Sequence, residues 1–335
     1  MTELPAGPLA VGAGYGEGRP DGWAPSRGRP VHHTRPSAAA PVPHASGPEG
    51  DGWAPEPARR TLPATAPDAW REHWFEHDQL VHPAGVTSHV AVYFDRDVAR
   101  NLGRWLVPYL DEVWQYTKQT YGGFGPDPLL YSIFHQGRYF GGHPATYQDA
   151  SHDNRNVTDC GVGHYRENDE GAHSIYSLVT HEIAHVVEGA NNGAWGSPAF
   201  PVWGDSKWAE FFIHDVHEAL GQHRRAAAAA GDFDRMTDGF PRPGTHWFRD
   251  WWRPLRAAGG GPQVMVRFFR LLAGHLPRHS DTQYTRDLNW GEYLHFTSGA
   301  AGGDVTELAR RAFGWQDTWT GELDRARAEF PLIAY

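Results

Sequence analysis

Residues Ser177–Gly189 read SLVTHEIAHVVEG. Leu178, Val179, Ile183, Val186 and Val187 surround the segment with apolar side chains, so it is expected as a largely buried helix over about Ser174 to Glu188. Within it lies H-E-x-x-H, at His181, Glu182 and His185. On a helix, positions four apart share a face, so both imidazoles can reach one metal ion. Glu182, turned by about 100° from His181, can take a proton from water beside that ion. With 21 His in 335 residues, chance supplies about 0.07 copies of this pattern per chain. Burying two imidazoles and a carboxylate without partners costs several kcal/mol, which favours a metal as the partner.

Two histidines need a third ligand. Glu188 is nearly on the face of His181 but would have to bend back, so it fits better as support for a ligand. Asn191 stands where an extended H-E-x-x-H-x-x-G-x-x-H pattern would need its last ligand. The next expected helix, from about Ser206 to Leu220, follows a loop broken by Gly and Pro. The segment Trp203–Phe212, WGDSKWAEFF, offers Asp205 and Glu210.

This pair of segments resembles the gluzincin metallopeptidases, especially their aminopeptidase-like branch, in which a W-x-D-x-x-aromatic/aliphatic-x-E pattern ends on the third zinc ligand. The resemblance covers about residues 177–217. It implies one zinc per chain held by His181, His185 and Glu210, with Glu182 as general base, in a thermolysin-like arrangement of two ligand helices beside a small sheet. Asp205 remains the rival third ligand or an orienting group. The spacing from His185 to Glu210 is longer than in that branch. No Gly-x-Met-Glu-Asn signature lies upstream, so aminopeptidase specificity is not implied. Attack on an amide also needs a donor for the developing oxyanion. Tyr293 and His295 in NWGEYLHFTSG are the candidates, with Tyr284 and His246 behind them.

Upstream, HVAVYFD (His89 to Asp95) has strand composition. Asp97 can cap a helix whose apolar stripe runs from Val98 to Trp114 and continues to about Thr120, with a bend at Pro108. A second strand is expected at Leu129 to His135. Gly137 to Gly171 reads as loops or a weak edge hairpin. Downstream, helices are expected at about Gln263 to Leu276 and at Asp304 to Phe313, the last with an Asp304-x-x-Glu307 capping box. Strands early and helices late indicate an α+β fold: a small N-terminal sheet with helices, the ligand helix pair, then a mainly helical C-terminal lobe. The divisions fall at about 1–67 for a disordered tail, 68–222 for the α+β part and 223–335 for the helical lobe.

Composition narrows the rest. Lys+Arg 30 against Asp+Glu 40 gives a formal charge of −10 and no basic stripe, which speaks against nucleic acid. No run of about 18 apolar residues exists, so no membrane span is expected. No signal peptide is readable at the start, which makes the cytoplasm the default location. The lone Cys160 closes no intramolecular disulfide and reads as a buried side chain. The tail repeats DGWAP at Asp21 to Pro25 and Asp51 to Pro55, and the 15 Trp read mainly as core. The expected function is a zinc metallopeptidase acting on a peptide or protein substrate. The alternatives are a non-proteolytic zinc hydrolase, or a partner- or polysaccharide-binding protein.

Overall fold

The computed structural model describes residues 66–165 and 169–335. The two DGWAP copies, and with them nearly all of the expected tail, lie outside the described residues.

Six strands form one sheet in the order β1-β2-β3-β4-β6-β5. They are β1 (Trp70–Arg71), β2 (Leu80–Val86), β3 (Val90–Phe94), β4 (Leu130–His135), β5 (Gly141–Ala145) and β6 (Asn156–Gly161). β3, β4 and β6 run parallel, with Val90 opposite Leu130 and Leu130 opposite Asn156, whereas the flanking pairs are antiparallel. A parallel pair needs a crossover. Between β3 and β4 it is made by helix α1 (Gly103–Tyr121), whose buried stripe Leu106, Leu110, Val113 and Trp114 packs on the sheet.

Alternation along the strands divides the residues between two faces. Val90, Val92, Phe94, Leu130, Phe134 and Cys160 face inward, into a core shared with the helices. Ala91, Tyr93, Tyr131, Ile133 and Val157 face outward and are covered by Trp70 and Trp74. By the same alternation Asp95, His135 and Asp159 belong to the outer face, while Cys160 belongs to the inner.

The expected strands at 89–95 and 129–135 are present, and the helix between them runs through Pro108 to its stop at Gly122, with φ of 102°. Asp97 is not its cap. The helix begins at Gly103, and the Asp97 carboxylate instead accepts the backbone N–H groups of Gln136 and Gly137, at 3.2 and 2.8 Å. The stretch read as loops or an edge hairpin supplies β5 at the sheet edge but also β6 inside the sheet. β6 is polar in sequence, NVTDCG, yet wholly buried. Its polar groups find partners: Thr158 with Ser132 at 2.6 Å, Asn156 with the Phe124 carbonyl at 2.7 Å and Asp159 with the Trp74 indole at 3.0 Å.

Helix α2 (Ile175–Gly189) follows, capped by Ser174, whose hydroxyl accepts the Ser177 N–H. A short hairpin of β7 (Ala190–Asn191) and β8 (Ala194–Trp195) leads to α3 (Phe200–Trp203) and α4 (Lys207–Ala219). Beyond these come α5 (His223–Arg235), a single π-helical turn at Trp247–Trp252, α6 (Arg253–Ala258), α7 (Gln263–His275), α8 (Trp290–Ala301), α9 (Thr306–Phe313) and α10 (Asp317–Glu329). The capping box expected at Asp304 does not form, because α9 starts only at Thr306. The reciprocal Asn289–Glu292 pair at the start of α8 is one. Trp203, Trp208, Trp247, Trp251 and Trp252 are all buried and make this lobe an aromatic core. Among the described residues no helix is long and apolar enough to cross a membrane.

Candidate metal centre

α2 carries His181 and His185 one turn apart, with their Nε2 atoms 3.1 Å from each other. The third group arrives from the connection between α3 and α4. Gly204 ends α3 with φ of 66°, a conformation that L side chains rarely adopt, and so turns the chain back over α2. The next residue is Asp205, whose carboxylate oxygens stand 3.5 Å from His185 Nε2 and 4.0 Å from His181 Nε2. Each of the three residues offers a ligand atom within 4.8 Å of the others. Bonds of about 2.0–2.1 Å to a tetrahedral ion separate neighbouring ligand atoms by about 3.3 Å, so these separations need only small adjustments.

The two tryptophans of WGDSKWAEFF fasten this connection to α2. Trp208 donates its indole N–H to the Ala184 carbonyl at 2.8 Å, and Trp203 donates to Glu188 Oε1 at 2.8 Å. The other Glu188 oxygen stands 2.9 Å from His185 Nδ1. That contact fixes a proton on Nδ1, so Nε2, which faces Asp205 and His181, is the nitrogen from which a metal ion would displace a proton, the usual support for an imidazole ligand. Burial disfavours a charge on His185, but hydrogen bonds and charge from Asp205 and Glu188 outweigh it and lift the imidazole to about 10. The pocket is therefore electrostatically built for a cation. His181 and His185 are buried, whereas the Asp205 side chain is 24% exposed and gives the site its open side.

Glu182 is fully buried beneath the edge strand β5. A Cβ on Gly142 would lie 2.6–2.8 Å from its Cγ, Cδ and Oε1, so only glycine lets the strand pass this close. On the inner face of β6, burial lifts the Cys160 thiol well above its ordinary range, with Glu182 and Asp159 adding to the effect. The cysteine is held as an unreactive thiol.

Glu210, expected as the third ligand, is not brought to the imidazoles. It lies one turn into α4, where Lys207 Nζ donates to its Oε1 at 2.6 Å and also contacts Asp238 at 2.9 Å. Burial lifts its carboxyl to about 7 against the pull of Lys207. The physical reason is the ammonium: it is buried, one turn away, and must be neutralised. The carboxylate that stands beside the imidazoles is that of Asp205.

The expected oxyanion donors also lie elsewhere. Tyr293 is buried in the aromatic core, its hydroxyl accepting the Trp251 indole N–H at 2.8 Å. His295 faces the C-terminus, with Nδ1 at 3.0 Å from the Tyr335 hydroxyl and Nε2 at 3.1 Å from the Phe330 carbonyl. Tyr284 is the one that shares a cavity with the site. A cavity of about 220 Å³ beside His185 is lined by Thr146, Gly189, Gly196, Ser197 and Tyr284, among others. His246 precedes the π-helical turn and lines no part of it. Tyr284 reaches the cavity because its backbone N–H bonds the Trp195 carbonyl at 3.0 Å, which attaches its loop to β8. Sequence spacing carries no signal for such a pairing.

No family model matches this chain, and no curated protein sequence matches it. Among solved structures, it is similar to an M1 zinc metallopeptidase from Deinococcus radiodurans, at 14% identity and a TM-score of 0.40 over 75% of this chain and 52% of that one, in a mutant form. The same protein without the mutation gives 14% and 0.40 over 74% and 51%. A mutant of a functionally unknown conserved protein from Bacillus anthracis str. Ames gives 11% and 0.37 over 72% and 50%. The chain thus spans about half the length of these structures.

Proposed function

We propose that the protein is a zinc-dependent hydrolase that cleaves peptide bonds, with His181, His185 and Asp205 holding the ion and Glu182 acting as general base. The observation that carries this reading is the convergence of two imidazole nitrogens and a carboxylate from two consecutive helical segments, with Glu182 next to the first of them in sequence and a cavity beside the second. Two neutral nitrogens and one carboxylate suit zinc, and three protein ligands are the number that catalytic zinc sites use. When bound, zinc polarises the scissile carbonyl and makes water acidic enough to attack at neutral pH.

The remaining work falls to this chain's own groups. Glu188 keeps the His185 proton on Nδ1, so Nε2 is available as a ligand. Glu182 takes the proton of the attacking water at its carboxylate and returns it to the leaving amine. The fully buried position of Glu182 suits that proton-carrying role. Tyr284, which lines the cavity beside His185, would donate a hydrogen bond to the oxyanion. The edge strand β5, passing over Glu182, favours a peptide among possible amides, because an extended main chain can add to a sheet edge.

The test is turnover of a mixed peptide library by zinc-loaded protein, read by mass spectrometry. Glu182→Gln is expected to keep the zinc and lose about 10²- to 10⁴-fold in kcat. Equal cleavage by parent and variant contradicts the assignment.

A further inference from the structure

The outer face of the sheet holds a second cluster of potential ligands, independent of the hydrolase reading. Glu72, His77, His135 and Asp159 each offer an atom within 4.8 Å of the others, and all four are buried. They come from distant parts of the chain. Glu72 and His77 lie on either side of Trp74 in the covering segment, His135 ends β4 and Asp159 lies on β6. We propose that these four residues form a second metal site, taking one divalent transition metal, with zinc the best fit to two imidazoles and two carboxylates.

The geometry fits such an ion. His135 Nε2 is 2.8 Å from Glu72 Oε1 and 3.2 Å from Asp159 Oδ1. His77 Nδ1 is 2.8 Å from Asp159 Oδ2 and 3.8 Å from Glu72 Oε1. These separations bracket the about 3.3 Å edge of a tetrahedron with bonds of about 2.0–2.1 Å. An alternative is a network of protonated histidines hydrogen-bonded to carboxylates. His135 Nε2 and Glu72 Oε1 make one such bond at 2.8 Å, but His77 Nδ1 and Asp159 Oδ1, both fully buried, make none, although oppositely charged atoms stand 2.8 and 3.2 Å away. A single cation between the four side chains would satisfy both of these buried atoms.

The surroundings support each ligand as metal sites require. The second nitrogen of His135 is 3.2 Å from Asp95 Oδ2, and Arg138 Nε contacts that same oxygen at 3.0 Å. The Gln79 backbone N–H occupies Glu72 Oε2 at 3.2 Å, which leaves Oε1 for the centre of the cluster. Tyr139 stacks on the His77 ring, centroids 3.4 Å apart. Charge balances as well: a divalent cation and Arg138 offset Glu72, Asp159 and Asp95. With four protein ligands and no exposed side, this is a closed site of the structural kind. It joins the covering segment to the ends of two central strands.

The test uses the whole chain, stripped with a chelator, equilibrated with zinc chloride, desalted and read by elemental analysis. The parent is expected to hold two zinc ions per chain, and a Glu72→Gln/His77→Gln chain one. A His181→Asn/His185→Asn chain, which leaves the outer cluster intact, is expected to hold one zinc and to melt at a higher temperature with zinc than without. Loss of all zinc from that chain, with its circular dichroism unchanged, overturns the proposal even if the outer-cluster variant fails to fold. Equal zinc in the parent and a folded Glu72→Gln/His77→Gln chain overturns it too. Failure of the hydrolase reading appears differently, as a His181→Asn/His185→Asn chain that binds as much zinc as the parent.

Discussion

The two histidine clusters lie on opposite sides of one strand and are built to opposite ends. β6 turns Cys160 toward Glu182 and α2, and Asp159 toward His77 and His135. The inner cluster gathers three residues, one of them partly exposed, beside a cavity and a buried carboxylate that is not in the ligand group. The outer cluster gathers four, all buried. An incomplete protein ligand set leaves room for a substrate, whereas a complete one ties strands together. A metal cluster of the reactive kind is thus recognised by what stands next to its ligands as much as by the ligands themselves.

The third inner ligand is the point at which the two clusters are most easily told apart. Asp205→Ala is expected to weaken zinc binding at the inner site by more than the about 10–100-fold that removing a supporting residue costs. Glu210→Gln is expected to leave that affinity unchanged. It should instead lower stability by about 1 kcal/mol, because the Lys207 ammonium loses one hydrogen-bond partner but keeps Asp238 at 2.9 Å. Isothermal titration with zinc and denaturant unfolding read the two effects. The reverse pattern makes Glu210 the ligand.

Gly142→Ala sharpens the role of the neighbouring carboxylate. The new Cβ displaces Glu182 while touching no ligand, so kcat is expected to fall by up to about 100-fold with zinc content unchanged. Unchanged turnover means that the position of Glu182 does not matter. A smaller effect is expected for Glu188→Gln, which loosens the His185 tautomer and should lower zinc affinity by about 10–100-fold.

The last contrast is between histidines. Carboxylates lift His185 to about 10, whereas burial presses His217, on α4, down to about 4 from 6.5. Its Nδ1 faces the neutral Gln222 at 3.1 Å. A folded-state value below the unfolded one means that the unfolded chain binds the proton first. Stability is then present above about 6.5 and is lost as pH falls toward 4, by up to about 3 kcal/mol from this group. His217→Gln is expected to flatten that part of the denaturation profile, and an unaltered slope contradicts the assignment.

The α+β order, the central strands and the ligand helix were legible because each carries its own period. The α2 histidines were legible because helix geometry alone places them on one face. Asp205 over Glu210 was not, since the choice depends on the turn at Gly204 and on where the Lys207 ammonium lies. β6 was hidden by its polar composition, whose partners come from remote segments. For the same reason Glu72, His77, His135 and Asp159 carry no spacing signal. Only the pairing of β4 with β6 and the return of the covering segment bring them together. Tyr293 and His295 looked catalytic by type and neighbourhood, but packing turned one into the aromatic core and the other toward Tyr335.

The most direct measurement is anomalous diffraction at the zinc edge from crystals grown with zinc. The expected result is a peak coordinated by His181, His185 and Asp205, with Glu210 still bound to Lys207. No peak between the two imidazoles, or a peak ligated by Glu210 with Asp205 turned away, contradicts it.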